Sequence, residues 1–242
     1  MNSPTRFLAN GDTVLVVEFG ENIDLSTSRK VTALHVTVSA LELDGITDLV
    51  PTFRSLAVHY DPDRVTFAEL QDRLCGLLPD HSGGNVSARD WSIPACYDVE
   101  LSPDLQTVAK ACSLSVEEVI CCHSSDTYHV YMVGFLPGYP YLGDLSEKIA
   151  LPRKVTPSLR IPARSIAIAE RMTAVYPIEC PGGWHVIGRT PMKLFDETAN
   201  RPALLAPGDR VRFTPITRVE YDRLLQTDGG FDEPKHMSDS QS

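Results

Sequence analysis

Short apolar runs bounded by turn and charged residues open the chain. Residues 13–18 (TVLVVE) and 55–60 (SLAVHY) are rich in β-branched positions and predict two strands. Between them, Asp24 is placed to cap a helix whose apolar positions Val31, Leu34, Val38 and Leu41 recur at helical spacing. Thr66 and Glu69 form a capping-box pair, and Phe67, Leu70, Leu74 and Leu77 then fall along one face of a second helix. Strands and helices in this order predict a small antiparallel sheet with two helices on one face.

The pattern changes after a polar, glycine-bearing stretch, HSGGNVSARD, which reads as a linker. The expected organisation is an α+β domain over 1–82, a linker over 83–90, a second domain over 91–226 and a mobile tail over 227–242. In the second domain Trp91 to Tyr97 reads as a strand, Ser102–Pro103 as a helix start, and Ser115 with Glu118 as a capping box opening a short helix towards His123. From Tyr128 onward YHVYMV, SIAIAE, AVYPIE, WHVIG, KLFD and RVRFTPI are short β-type stretches between Pro/Gly turns, which fits a barrel or a sandwich.

Composition narrows the classes. The 242 residues are 43% hydrophobic, enough for a buried core, and carry a net charge of -10, which argues against a nucleic-acid binder. No apolar run reaches membrane-spanning length, and the first residues do not form a secretory signal. The six cysteines include no C-x-x-C pair and sit in mostly apolar surroundings, so buried reduced thiols in a cytoplasmic protein are expected, with no zinc site. The charge is unevenly spread: -13 over the first 147 residues, +6 from Lys148 to Lys193, and -3 over the remainder. The positive stretch is where an anionic ligand or acidic partner would be favoured.

Three strings stand out. GFLPGYPYLG (134–143) mixes glycines and prolines with Phe135, Tyr139 and Tyr141, and predicts a rigid irregular loop whose rings suit a pocket wall. TPSLRIPARSIAIAE (156–170) carries Arg160 and Arg164, with Arg153 just upstream, and a guanidinium matches carboxylate or phosphate. In CPGGWHVIGRTP (180–191), Pro181–Gly182 fits a type II turn, Gly183 permits close backbone approach, and Trp184 opens a strand ending at Arg189–Thr190. His123 is expected at a helix C-terminus, where the macrodipole favours its charged form. No complete catalytic set, P-loop or dinucleotide fingerprint is present.

These strings, taken in order with His123 and Tyr131, EFG (18–20), YDP (60–62), Tyr176–Pro177, LFD (194–196) and PGDRVRF (207–213), resemble the KipI/PxpB family. That family is also called allophanate hydrolase subunit 1 or carboxyltransferase subdomain C/D. The resemblance covers about residues 5–217. It implies an α+β N-terminal domain followed by an all-β, cyclophilin-like β-barrel domain with short helices.

It also implies a subunit of an ATP-dependent 5-oxoprolinase, opening 5-oxo-L-proline to L-glutamate with C-type (PxpC-like) and A-type (PxpA-like) partners. ATP would be used by the complex, with no cofactor bound by this chain alone. Other members resemble inhibitors of a sensor histidine kinase, and relatives in urea amidolyases suggest a urea or allophanate carboxyltransferase module. In the enzyme reading, Phe135, Tyr139, Tyr141 and Trp184 form the pocket walls, with Gly182, Gly183 and Thr190 beside them. Arg153 and Arg189, with Arg164, would meet a substrate carboxylate, and His123 would carry protons. The family usually has VPAGSVGIAG where this chain has IPARSIAIAE, so Arg164, Ala167 and Glu170 stand in place of glycines.

Overall fold

The computed structural model describes residues 4–79 and 88–226, which fall into two compact units divided between Ser87 and Ala88. Most of the expected linker and the whole expected tail lie outside the described residues.

The first unit contains β1 (Arg6–Ala9), β2 (Val14–Glu18), α1 (Leu25–Leu41), β3 (Ile46–Pro51), β4 (Ser55–Tyr60) and α2 (Phe67–Cys75). Its antiparallel sheet has the order β1-β2-β4-β3. Central strands β2 and β4 place Val17 opposite Leu56 and Leu15 opposite Val58, and these four side chains meet Leu34, Val38, Leu70 and Leu74 from the helices. Burying one apolar face against two amphipathic helices is what makes so small a sheet stable. Asp24 caps α1 by accepting from the Thr27 N–H at 2.8 Å. Thr66 and Glu69 close a reciprocal capping box at α2, at 3.3 and 2.9 Å. Leu41, expected on the buried face of α1, is 49% exposed, because the helix ends there with Glu42 in the left-handed region at φ 44°. Edge strands β1 and β3 have no clear signal in the sequence; β3 shows no clean alternation of buried and exposed positions.

The second unit contains β5 (Asp90–Cys96), α3 (Leu105–Ala111), α4 (Val116–Ser125), β6 (Tyr128–Val133), β7 (Pro140–Gly143), β8 (Ser158–Ile161), β9 (Ser165–Ala169), β10 (Met172–Val175), β11 (Cys180–Gly182), β12 (His185–Arg189), β13 (Arg210–Ile216) and α5 (Arg218–Gln226). Seven strands close a barrel in the order β10-β7-β6-β13-β5-β12-β9, with β9 pairing back to β10. Only the β5–β13 pair within it is parallel. Alternation sends Ile166 and Ile168 of β9 into the interior with Ile93, Val130, Leu142, Ile187 and Phe213, while Ala167 and Ala169 face outward. A separate ribbon of β8 and β11 lies outside the barrel sheet. The chain is thus an α+β domain followed by an all-β closed barrel with short helices. Among the described residues, no helix is long and apolar enough to cross a membrane.

Several local expectations need correction. Arg89 and Asp90, expected in the linker, belong to the barrel: Asp90 begins β5, and Arg89 Nε donates to the buried Asp209 carboxylate at 3.0 Å. Asp209 also accepts from Trp91 Nε1 at 3.0 Å, so its charge is fully met. Helix α3 starts at Leu105, beyond Ser102–Pro103, because the Ser102 hydroxyl turns back to the carbonyls of Tyr97 and Asp98. KLFD forms only an isolated bridge, Phe195 to Ala203. Pro181–Gly182 is not a type II turn but part of edge strand β11, where a proline is tolerated. Nearly half of the expected irregular loop, Pro140–Gly143, is barrel strand β7. All six cysteines are free, yet only Cys96 is buried, and Cys75 and Cys121 are exposed. The apolar pattern also gives no hint of α5, whose single buried residue is Tyr221.

Candidate functional site

The β6–β7 hairpin carries the aromatic string. Its loop closes when the Gly134 N–H donates to the Tyr139 carbonyl and the Tyr139 N–H to the Leu136 carbonyl, both at 3.0 Å. Gly138 turns at φ 74°, and a Cβ there would lie 2.7 Å from Phe195 Cβ, so glycine is required. Phe135 adopts φ 72° and stands 70% exposed at the loop tip, while Tyr139 is buried.

The rings gather on the outer face of the barrel. Tyr139 meets Phe135 at 5.7 Å, Tyr141 at 5.1 Å, Tyr176 at 5.1 Å and Trp184 at 6.2 Å, mostly edge to face. Tyr141 and Trp184 lie 6.1 Å apart. Their floor is Ala167, Ala169, Ala174 and Val186, small residues that leave room for large rings, and Ile161 and Cys180 of the ribbon close one side. Gly182 is needed because a side chain there would strike the Tyr176 hydroxyl and approach Ile161 Cδ1 to 2.8 Å. The sequence places Tyr176 only within a β-type stretch, although the Tyr-Pro pair before a turn marks it.

Arg153 borders this cluster. A Cβ on buried Gly183 would lie 3.7 Å from Arg153 Nε, and the charge of Arg153 acts on the phenols of both Tyr141 and Tyr176. Burial nevertheless dominates: it pushes Tyr176 up to about 12 and raises Tyr139 and Tyr141, so all three phenols stay protonated at neutral pH. Arg153 itself is exposed and makes no hydrogen bond or ion pair among the described residues. Its backbone is held from both sides. His185 Nε2 donates to the Pro152 carbonyl at 2.9 Å, and the Lys154 N–H donates to the Gly183 carbonyl at 2.7 Å. The other ring nitrogen of His185, Nδ1, is buried without a partner among the described residues. Lys154 Nζ donates to Asp104 Oδ2 at 2.8 Å, and that same oxygen accepts from the Val186 N–H at 2.7 Å. Nothing in the sequence points to this Asp104–Lys154 brace.

The other expected site residues are not here. Strand β12 begins just after Trp184 and ends at Arg189, which puts Arg189 and Thr190 about 16 Å further along the barrel at strand rise. Arg164 joins them there: the Thr190 N–H donates to the Arg164 carbonyl at 3.0 Å. The single pocket expected between the two glycine-rich strings is therefore two separate places. Arg164 and Glu170 adopt φ 69° and 53°, in the left-handed region that favours glycine, whereas Ala167 is extended and fully buried beneath the rings.

His123 occupies a third place and a different state from the one expected. Its ring is 0% exposed, with Nδ1 2.7 Å from the Tyr97 hydroxyl and Nε2 2.9 Å from Thr173 Oγ1. Phe213 packs 4.5 Å from it. Burial lowers its pKa to about 3, so desolvation overrides the helix dipole and the ring is neutral. No atom of it reaches a surface where substrate could bind, and its visible role is to tie α4 to Tyr97, just past β5, and to β10.

Comparison with known proteins shows the family of the chain. Residues 5–205 match the family model of the carboxyltransferase domain, subdomain C and D. The B-type 5-oxoprolinase subunit of Bacillus subtilis (strain 168) is 40% identical over 225 residues, 87% of this chain and 92% of that one. That of Escherichia coli O157:H7 is 34% identical, over 85% of this chain and 93% of its own length. The crystal structure of TTHA0988 superposes with a TM-score of 0.76 at 36% identity and 84% coverage of this chain, which spans only 40% of that longer chain. The Kluyveromyces lactis urea amidolyase shares the fold, with a TM-score of 0.72 at 18% identity over 93% of this chain and 16% of its own. The chain belongs to the carboxyltransferase C and D subdomain family, within the group of B-type 5-oxoprolinase subunits (PxpB/KipI).

Proposed function

We propose that this protein is the B-type subunit of an ATP-dependent 5-oxoprolinase, opening 5-oxo-L-proline to L-glutamate with C-type and A-type partner subunits. The observation that carries this reading is the exposed, unpaired guanidinium of Arg153, which lies against Gly183 and whose charge acts on the Tyr141 phenol, in a chain whose relatives bear that subunit's name. 5-Oxoproline is a small flat lactam with one carboxylate. Its ring suits packing against an aromatic wall, and its carboxylate suits a bidentate guanidinium.

In this reading the chain binds and orients rather than activates. The phenols remain protonated and can donate or accept hydrogen bonds but not take a proton; Tyr176, at about 12, is no general base at neutral pH. A resonance-stabilised lactam needs activation before water can break its C–N bond, and the proposal assigns ATP use and that chemistry to the assembled complex. This chain alone binds no cofactor in the proposed scheme and is inactive by itself.

The test is co-expression with the C-type and A-type subunits and an assay of ATP-dependent glutamate release. Turnover that falls at least about tenfold for Arg153→Ala, the effect of losing one charged hydrogen-bonding group, supports the reading. A complex that assembles but produces no glutamate overturns it.

A further inference from the structure

We propose that Arg164, Arg189 and Tyr221 form a second site, for a phosphate dianion, at the end of β9 and β12 remote from Trp184. This inference stands independently of the 5-oxoprolinase reading.

The strand register brings the two arginines together. Arg189 sits opposite Ser165 in the β9–β12 pair, so Arg164 is one residue away from direct opposition. Each guanidinium is then held by a carbonyl within two residues of the other arginine. Arg189 Nε donates to the Ala163 carbonyl at 3.0 Å, and Arg164 Nη1 donates to the Pro191 carbonyl at 3.0 Å. A guanidinium has five N–H donors, so most remain after these contacts. Neither arginine has an acidic partner among the described residues. Asp98, Glu100 and Asp222 pair instead with Arg218, at 3.5, 2.8 and 3.0 Å.

Tyr221 arrives from a third element. Cys96, which ends β5, pairs with Arg189 on one side and with Ile216 on the other, and α5 starts two residues after Ile216. Tyr221, near the middle of α5, is 3% exposed as a residue; its hydroxyl has no hydrogen-bond partner among the described residues and keeps contact with solvent. The charges of Arg189 and Arg164 both reach this phenol, opposing the rise that burial causes.

The chemistry of the donors selects the ligand class. Two fixed positive charges and one neutral hydroxyl match a tetrahedral dianion with several acceptor oxygens. A monocarboxylate would balance only one of the charges and leave the guanidinium pair repelling across a partly buried space. The shared chemistry is a phosphate dianion, either free or as a terminal phosphomonoester.

Calorimetric titration of the full-length protein at about pH 8, where phosphate is doubly charged, tests this at fixed ionic strength. The probes are inorganic phosphate, glycerol 3-phosphate and acetate. Saturable binding of either phosphate compound at millimolar concentration or below, with none for acetate, is expected. Arg164→Gly keeps a backbone that glycine adopts freely and should weaken binding at least about tenfold; Tyr221→Phe should weaken it about threefold or more. Tighter binding of glycerol 3-phosphate assigns the site to a phosphomonoester, and tighter binding of inorganic phosphate assigns it to the free ion. Absence of phosphate binding, equal binding of acetate, or unchanged affinity in a folded Arg164→Gly variant overturns the proposal.

Discussion

Asp104 Oδ2 lies 2.8 Å from Lys154 Nζ, joining residues 50 positions apart. The pair is mostly shielded, with side chains 21% and 17% exposed, and the same carboxylate oxygen holds the Val186 N–H. This brace fixes the segment that carries Arg153 against β12. Asp104→Asn should therefore cost about 2 kcal/mol, because it leaves a half-buried ammonium without its counter-ion. Urea denaturation of the variant and the parent measures this directly; a difference below about 0.5 kcal/mol would remove the brace from the account.

Arg153→Ala should behave in the opposite way. The side chain is exposed and unpaired, so stability should change by no more than about 0.5 kcal/mol, as for other surface positions. In the proposed complex, binding of 5-oxoproline should weaken by about 1.5–3 kcal/mol, the scale of a charged hydrogen bond. Paired melting and calorimetry experiments separate the two effects.

His123 makes stability depend on pH with a defined sign. Its folded pKa, near 3, lies below the unfolded value of about 6.5, so the unfolded chain binds the extra proton between these limits. The contribution is complete above about pH 6.5 and is lost as pH falls, at about 1.4 kcal/mol per pH unit. Denaturant unfolding at pH 7 and pH 5 should differ by about 2 kcal/mol from this ring. A His123→Gln variant should show a correspondingly shallower dependence. Equal slopes for the two proteins would mean the imidazole is not held neutral.

Glu170→Gly should stabilise the β9–β10 turn. Glu170 is exposed, at φ 53°, where an L side chain costs roughly 1–2 kcal/mol. Greater freedom of glycine in the unfolded chain offsets part of this, leaving a gain of about 0.5–1 kcal/mol. The midpoint of chemical denaturation reports it, and a lower midpoint would contradict the strain argument.

The sequence alone determined the elements whose signals are local. Asp24 and the Thr66–Glu69 and Ser115–Glu118 boxes start helices where expected, because a cap is satisfied within one turn of chain. The strands TVLVVE, SLAVHY and SIAIAE are legible from apolar and β-branched composition, and the ordered strings carry the family. Tertiary structure decided what depends on register and burial. Tyr139, Tyr141 and Trp184 do come together with Arg153, but only barrel closure recruits Tyr176 and Asp104 to them. Arg189 and Arg164 go to the far end of β12, since a strand separates its two ends by its own length. His123, charged by any argument from its own helix, is neutral because Tyr97, Thr173 and Phe213, all distant in sequence, remove it from water. Desolvation is a property of the packed core, and no local pattern encodes it.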